Sequence, residues 1–276
     1  MTKTIVILAA GMSSRMKKSI DSDIDDSKAD EANKKSKSLI TFGDKPFIYF
    51  LLKNIVEAGF ENVIMVVGKD FDDFKKQLDN LNFNNKLKID YAIQKIPKDR
   101  VKPFGTADAV FQTMDQIEIL KNSSFCVCNS DNLYSKNSLR TIRENAYENA
   151  VLAYDRDSLN FPKERVSSFS ILMTDDNFNL LNFIEKPTQE QVDQNLDSNG
   201  KIRVSMNIFK FNGLQAFDFI KNCPINPIRN EKELPSAIVN MINENDLYMK
   251  GIPIAEHVPD LTSKADINII QKLIEQ

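Results

Sequence analysis

The chain has no tryptophan, a single histidine, three cysteines and only eight glycines in 276 residues. Each scarcity removes a class of function. One histidine, His257, nearly excludes Ser-His-Asp or Cys-His catalysis and a histidine-rich metal cage. Cys126, Cys128 and Cys223 are odd in number and lack C-x-x-C spacing, which argues against a disulfide framework or a zinc site. Cys126 and Cys128 lie two apart in an apolar run and are expected to share one face of a buried strand. The N-terminal apolar run, residues 5–10, is too short for a signal region or a membrane span. Charge of one sign is also missing: 36 basic side chains stand against 39 acidic ones, a net charge of −3. That balance gives no reason to expect nucleic acid or an anionic membrane as partner. A cytoplasmic protein is expected, and a phosphate-rich substrate would need a local basic site.

What is present is a 42% hydrophobic chain, enough for one substantial core. Residues 4–10 form a branched apolar run followed by glycine, which predicts a strand buried on both faces. Further strands are expected at 62–67, 88–94 and 125–131. Helices are expected from Pro46, over 71–81 and from near Gly105. In the first of these, Phe47, Phe50, Leu51, Asn54, Ile55 and Ala58 keep helical spacing, with Asp44 as cap and Gly59 as stop. Strands alternating with helices predict an α/β fold: a parallel sheet covered by helices on both faces. Later strands are expected at 151–155, 168–174, 180–187, 203–211 and 246–256, the second and third forming a hairpin through TDDNFN. Helices are expected at 231–243 and 263–275. Residues 17–37 are crowded with lysines and acids, which predicts a mobile loop or a weak helix. No internal repeat and no long Pro/Gly linker divides the chain, so a single domain over 1–276 is expected.

Three constellations carry chemistry. The loop Ala10-Gly11-Met12-Ser13-Ser14-Arg15 follows a parallel strand, where free backbone N–H groups can meet a base or phosphates, and Arg15 adds a charged fork. Its spacing fits neither the G-x-G-x-x-G nor the P-loop pattern. Asn129-Ser130-Asp131-Asn132 places a carboxylate at the same sheet edge, where Mg2+ and substrate phosphates are commonly held. Glu185-Lys186-Pro187 closes another apolar run. Singly, each reads as well as an ordinary turn.

Taken in order, these segments resemble the sugar-1-phosphate nucleotidyltransferases. LAAGMSSRM is similar to that family's signature loop, Ser36-Lys37-Ser38-Leu39 with Gly43-Asp44-Lys45-Pro46 to its P-K-x-L and G-x-K-P segment, and Gln94 with GTADAV to its Q and G-T-A-x-A element. NSDN resembles the G-D-N motif and IEKP matches E-K-P. Residues 203–211 resemble the sugar-side strand, and Asp260-Leu261-Thr262-Ser263-Lys264-Ala265-Asp266 a degraded D-x-G-T-P-x-D. Serine stands at 36 and 130, and asparagine at 207, where the family commonly has proline, glycine and glycine.

The resemblance implies a three-layer α/β/α, Rossmann-like (GT-A-like) fold: a mostly parallel mixed sheet with a smaller sugar-side β-rich part. Residues 1–135 would form the nucleotide-binding half and 136–276 the sugar-binding half. It implies Leu8, Ala10, Gly11, Gln94, Gly105 and Thr106 around the nucleotide, and Arg15 and Lys37 on the departing phosphates. Asp131 and Asp260 would ligate magnesium (Mg2+). Glu185, Asn132 and Asn207 would meet the sugar, and Lys186 its phosphate. The substrates implied are a nucleoside triphosphate, UTP or dTTP, and a sugar-1-phosphate, with glucose-1-phosphate foremost. Two rivals are a cytidylyltransferase acting on phosphocholine or another non-sugar phosphate, and a non-catalytic regulatory subunit. A homo-oligomer is left open. The long stretch between Arg15 and Lys37 is either a lid over the triphosphate or an idle insertion.

Overall fold

The computed structural model describes residues 1–19, 24–83, 85–244 and 247–275. The first part of the chain runs β1 (Thr4–Leu8), α1 (Ser14–Lys18), α2 (Asp26–Lys34), β2 (Thr41–Phe42), β3 (Lys45–Pro46), α3 (Phe47–Glu57), β4 (Asn62–Val67), α4 (Asp72–Asp79), β5 (Lys88–Ile93), α5 (Thr106–Gln116) and β6 (Ser124–Asn129). It continues as α6 (Lys136–Glu144), β7 (Ala150–Asp155), α7 (Lys163–Val166), β8 (Ile171–Thr174), β9 (Leu180–Ile184), α8 (Gln189–Gln194), β10 (Arg203–Asn212), α9 (Gly213–Lys221), α10 (Leu234–Asn243), β11 (Lys250–Ile254) and α11 (Ala265–Ile274).

Nine strands make one sheet in the order β11-β7-β10-β6-β1-β4-β5, with β8 paired to β10 and β9 to β8. β1 lies parallel between β4 and β6, and β5 adds parallel to β4. β10 is antiparallel to both β6 and β7, which makes the sheet mixed. Strands β1, β4, β6 and β7 bury both faces, as their apolar runs require. Ile5 and Ile7 of β1, with Cys126 and Cys128 of β6, join one core cluster, while Val6, Phe125 and Val127 point into the other. Leu51 and Ile55 of α3 and Leu139 and Ile142 of α6 cover the first face. Val110 and Met114 of α5, Ile220 of α9 and Ile238 of α10 cover the second. The result is the α/β/α sandwich with a mostly parallel sheet.

The charged stretch contains a real helix. Asp25 caps α2 by accepting from Lys28 N–H, and Ala32 buries itself with Met16, Phe42, Phe47 and Ile267 in a third, smaller cluster. Glu31 anchors the helix by accepting from the Thr41 amide and hydroxyl at 3.0 and 2.9 Å. Residues 20–23 of the expected lid lie outside the described residues; the described remainder packs on the β2–β3 hairpin.

Several expectations shift. Asp44 does not cap α3: Gly43, with φ 60°, and Asp44 form the turn of the β2–β3 hairpin, and Pro46 takes the cap position. α10 begins at Leu234, because Glu231 is held by a bridge to Asn226. α6, α8 and α9 appear where no helix is expected from the sequence. β8 and β9 pair antiparallel as the turn chemistry predicts.

Candidate active site

The four parallel strands β1, β4, β5 and β6 end at one cleft of about 330 Å³. Ligands in open α/β sheets bind outside such carboxyl ends. Leu8 closes β1, Val66 is near the end of β4, Gln94 follows β5, and Asn129, Ser130 and Asp131 follow β6; all of them line the cleft. The ladder continues past the strands to fix them: Ala9 N–H donates to Val66 O at 2.9 Å, Gln94 N–H to Val67 O at 2.8 Å, and Ser130 N–H to Leu8 O at 3.2 Å. Ala10, Gly11, Lys37, Gly105 and Thr106 complete the lining expected from the sequence.

Two glycines behave differently here. Gly105 has φ 105°, and a Cβ there would meet the backbone oxygen of Lys232 at 2.2 Å, so the fold demands glycine. At Gly11 an added Cβ meets nothing within 4 Å. Packing therefore does not demand glycine at this position of the cleft lining. Ser13 takes the left-handed region with φ 54°, and its hydroxyl accepts from Lys37 N–H at 3.2 Å. That bond ties the Gly11 loop to the segment carrying Lys37.

The Lys37 ammonium pairs with the Asp131 carboxylate, and both side chains are mostly buried. Asp131 lies two residues beyond the end of β6, not within the strand. A short antiparallel bridge brings Asp260 beside it: Asn132 pairs with Asp260, Leu133 N–H donates to Pro259 O, and Leu261 N–H to Asp131 O, both at 2.8 Å. Burial pushes the Asp260 carboxyl up, the negative charge of Asp131 adds to that, and Arg165 opposes it. Arg165 reaches Asp260 at 2.6 Å and Asp266 at 2.5 Å. Among the described residues no cluster of three or more His, Cys, Asp or Glu side chains forms a metal cage. Two neighbouring carboxylates that repel each other do fit Mg2+, which takes one or two protein carboxylates and leaves its other positions to phosphates and water.

Other expected residues stand outside the lining. Arg15 is exposed on α1, next to Ser14, which lines the cleft. Asn132 is buried in the bridge to Asp260. Glu185 and Lys186 are exposed beyond β9, and Glu185 pairs with Arg229 at 3.3 Å. Asn207 sits at an irregularity of β10 with φ 56°, a left-handed region that asparagine tolerates and glycine favours. Buried Tyr134 fastens that bulge by donating to Met206 O at 2.7 Å.

Sequence reasoning missed Lys102 and Glu231, which close the cleft from two loops, and Arg165, which holds Asp260. Arg165 ends the NFPKER segment (160–165), which resembles glucose-1-phosphate uridylyltransferase-type sequences; Lys102 and Glu231 belong to no motif, and only the fold brings them together. His257 serves the scaffold, its Nδ1 accepting from Asn160 N–H at 3.1 Å.

The cleft at the sheet edge thus gathers the Gly11 loop, Lys37 and Asp131, while Asp260 stands outside its lining, bridged to Asn132. The sequence model of the nucleotidyl transferase family matches residues 32–253, and the chain belongs to that family. The matched span starts after the Gly11 loop and stops before Asp260. A Methanocaldococcus jannaschii protein provisionally named UTP–glucose-1-phosphate uridylyltransferase is 25% identical over 195 residues, 63% of this chain and 66% of that protein. A Photobacterium profundum glucose-1-phosphate adenylyltransferase is 27% identical over 192 residues, 66% of this chain but 43% of the relative. The chain thus matches just under two thirds of the first relative's length and less than half of the second's. A UDP-glucose pyrophosphorylase solved in complex with UDP-glucose superposes with a TM-score of 0.71 at 16% identity, covering 100% of this chain and 99% of that one. That likeness establishes the shared fold. No helix among the described residues is long and apolar enough to cross a membrane.

Proposed function

We propose that the protein transfers a nucleotidyl group from UTP or dTTP to a sugar-1-phosphate, with glucose-1-phosphate foremost, releasing pyrophosphate and using Mg2+. The observation that carries this reading is the convergence of the Gly11 loop, Gln94, Gly105, Lys37 and Asp131 on one cleft at the carboxyl ends of four parallel strands. The names of the curated relatives, both acting on glucose-1-phosphate, support the sugar phosphate.

The reaction suits these residues. An oxygen of the sugar phosphate attacks the α-phosphorus, and the bond from that phosphorus to the β-phosphate oxygen breaks. The attacking oxygen is already anionic, so no strong base is needed, in keeping with a chain that has one histidine. The protein's task is to align two anions and neutralise charge as it moves. Lys37, at the cleft beside Asp131, would meet the triphosphate, and Arg15, exposed on α1 just after the Gly11 loop, would be a further cation. Lys186 would meet the sugar phosphate and Glu185 the sugar hydroxyls. Asp131 and Asp260 would hold the Mg2+, which when bound supplies positive charge to the phosphate oxygens. The nucleotide-side half, residues 1–135, then contributes the cleft apart from Glu231, and the half from 136 onward contributes Glu231, Glu185, Lys186 and Asp260.

The test is pyrophosphate release from purified protein with Mg2+, each of UTP, dTTP, CTP, GTP and ATP, and a panel of sugar-1-phosphates plus phosphocholine. Release is expected with UTP or dTTP and a hexose-1-phosphate, and is expected to stop with EDTA. Release only with CTP and phosphocholine moves the function to that substrate class. No release with any pair, from protein that still binds nucleotide, overturns the catalytic reading.

A further inference from the structure

Thr41 opens β2, and its hairpin partner is Pro46, which has no N–H to offer. In the same hairpin Phe47 N–H donates to Ile40 O at 2.9 Å. By the alternation of an antiparallel ladder, the Thr41 amide and carbonyl then point outward, away from β3. An open strand edge of this kind leaves backbone groups that need partners. The helix of the charged segment, α2, supplies them. Glu31 accepts from the Thr41 amide at 3.0 Å and from its hydroxyl at 2.9 Å. Lys28 donates to the Thr41 carbonyl, and its ammonium lies 5.5 Å from the centroid of the Phe42 ring. All three polar groups of Thr41 are thus taken by one helix.

Glu31 also reaches the near side of the same turn. Its Oε1 accepts from the Lys35 ammonium at 2.5 Å. One carboxylate therefore holds residue 35 and residue 41, and between them runs the turn that carries Lys37. That turn is closed by Leu39 N–H donating to Ser36 O at 2.8 Å and Ile40 N–H to Lys37 O at 3.2 Å. Ser38 and Leu39 are buried in it, which leaves Lys37 to face the cleft and pair with Asp131. The Gly11 loop holds Lys37 at one point only, through Ser13 and the Lys37 amide. The ends of the turn are held by α2. Glu31 stands one residue before the span that the nucleotidyl transferase family model matches, and it lies in none of the motifs of the chain.

We propose that Glu31 is a positioning residue for Lys37. From the charged segment it clasps both flanks of the 36–40 turn and so keeps the Lys37 ammonium at the cleft, where it meets the triphosphate. The described part of the segment is then a brace for a cleft cation, neither an idle insertion nor a lid. This inference rests on the nucleotide-transfer reading and adds to it a residue that touches no substrate.

The test is a double-mutant cycle on equilibrium binding of UTP with Mg2+, using the wild type, E31A, K37M and E31A/K37M, with thermal denaturation as the folding control. K37M is expected to weaken UTP by about tenfold and E31A by about fivefold. Added to K37M, E31A is expected to weaken UTP by less than about twofold more, because the side chain it positions is already gone. A merely structural role for Glu31 would weaken UTP by the same factor in both backgrounds. If E31A does not fold, E31Q takes its place in the cycle: it keeps an acceptor for Thr41 but no charge for Lys35. The same split is then expected at about threefold. Equal factors in the two backgrounds, or a folded Glu31 variant or K37M that binds UTP as the wild type does, overturns the proposal while leaving nucleotide binding intact. A wild type that binds no UTP overturns the underlying function as well.

Discussion

Gly11 and Gly105 are the same residue type used for two different reasons, and substitution separates them. At Gly105 both the positive φ and the Lys232 oxygen at 2.2 Å oppose a side chain. G105A is expected to lose about 2–4 kcal/mol of stability, read as a fall in the urea midpoint. Gly11 has no such obstruction within 4 Å. G11A is expected to keep its stability within roughly 1 kcal/mol while UTP affinity falls by about tenfold or more. Unchanged UTP affinity in G11A would take the loop out of the nucleotide site. From the sequence both glycines read simply as members of motifs. Their different burdens were not legible, because the Lys232 carbonyl arrives from a loop far along the chain.

α2 shows what a charged segment needs in order to fold. Within α2 only Ala29 and Ala32 pack against the third cluster, so its attachment leans on polar contacts, those of Glu31 with Thr41 and of Lys28 with the Thr41 carbonyl and the Phe42 ring. Burial raises the pKa of the Glu31 carboxyl, but the bonds from Lys35 and from the Thr41 amide and hydroxyl outweigh it and hold the pKa below the ordinary value. A depressed pKa contributes stability above the unfolded value and loses it as the pH falls through the folded one. Wild type is therefore expected to exceed E31Q by about 1–2 kcal/mol near pH 6, with the two converging as the pH drops below about 4.3. Parallel urea titrations across that range check it; a constant gap would deny the anchor. Element by element, the long apolar runs were plain in the sequence: β1, β4 and β6 are buried on both faces and had no rival reading. α6 was not legible, since Leu139 and Ile142 are its only core contacts of a hydrophobic kind. α9 starts at Gly213 directly after β10, and Leu214, Ala216, Phe217, Phe219 and Ile220 fit neither period cleanly. The lysine, glycine and aspartate of the cleft are legible through motifs, whereas Lys102 and Glu231 meet it, and Arg165 meets Asp260, only through tertiary folding.

Across the whole molecule, the three thiols report on cooperativity. Cys126 and Cys128 lie in the cluster on one face of the sheet and Cys223 in the cluster on the other. Burial pushes the Cys126 thiol up to about 12 and the Cys223 thiol up to about 11, and raises Cys128 well above the usual range. A thiol-specific chromogenic reagent at pH 8 is expected to leave the native protein unlabelled over minutes, then to label all three together as denaturant unfolds it. Early labelling of Cys223 alone would show that one face opens independently of the other. The sheet order also governs how the protein is made. β6 emerges from the ribosome long before β10, its antiparallel neighbour, and Asp131 long before the 259–261 segment that pins its loop. A nascent chain stalled after β6 therefore carries a bare, apolar strand edge that β10 has yet to cover, and Asp131 without the segment that pins its loop.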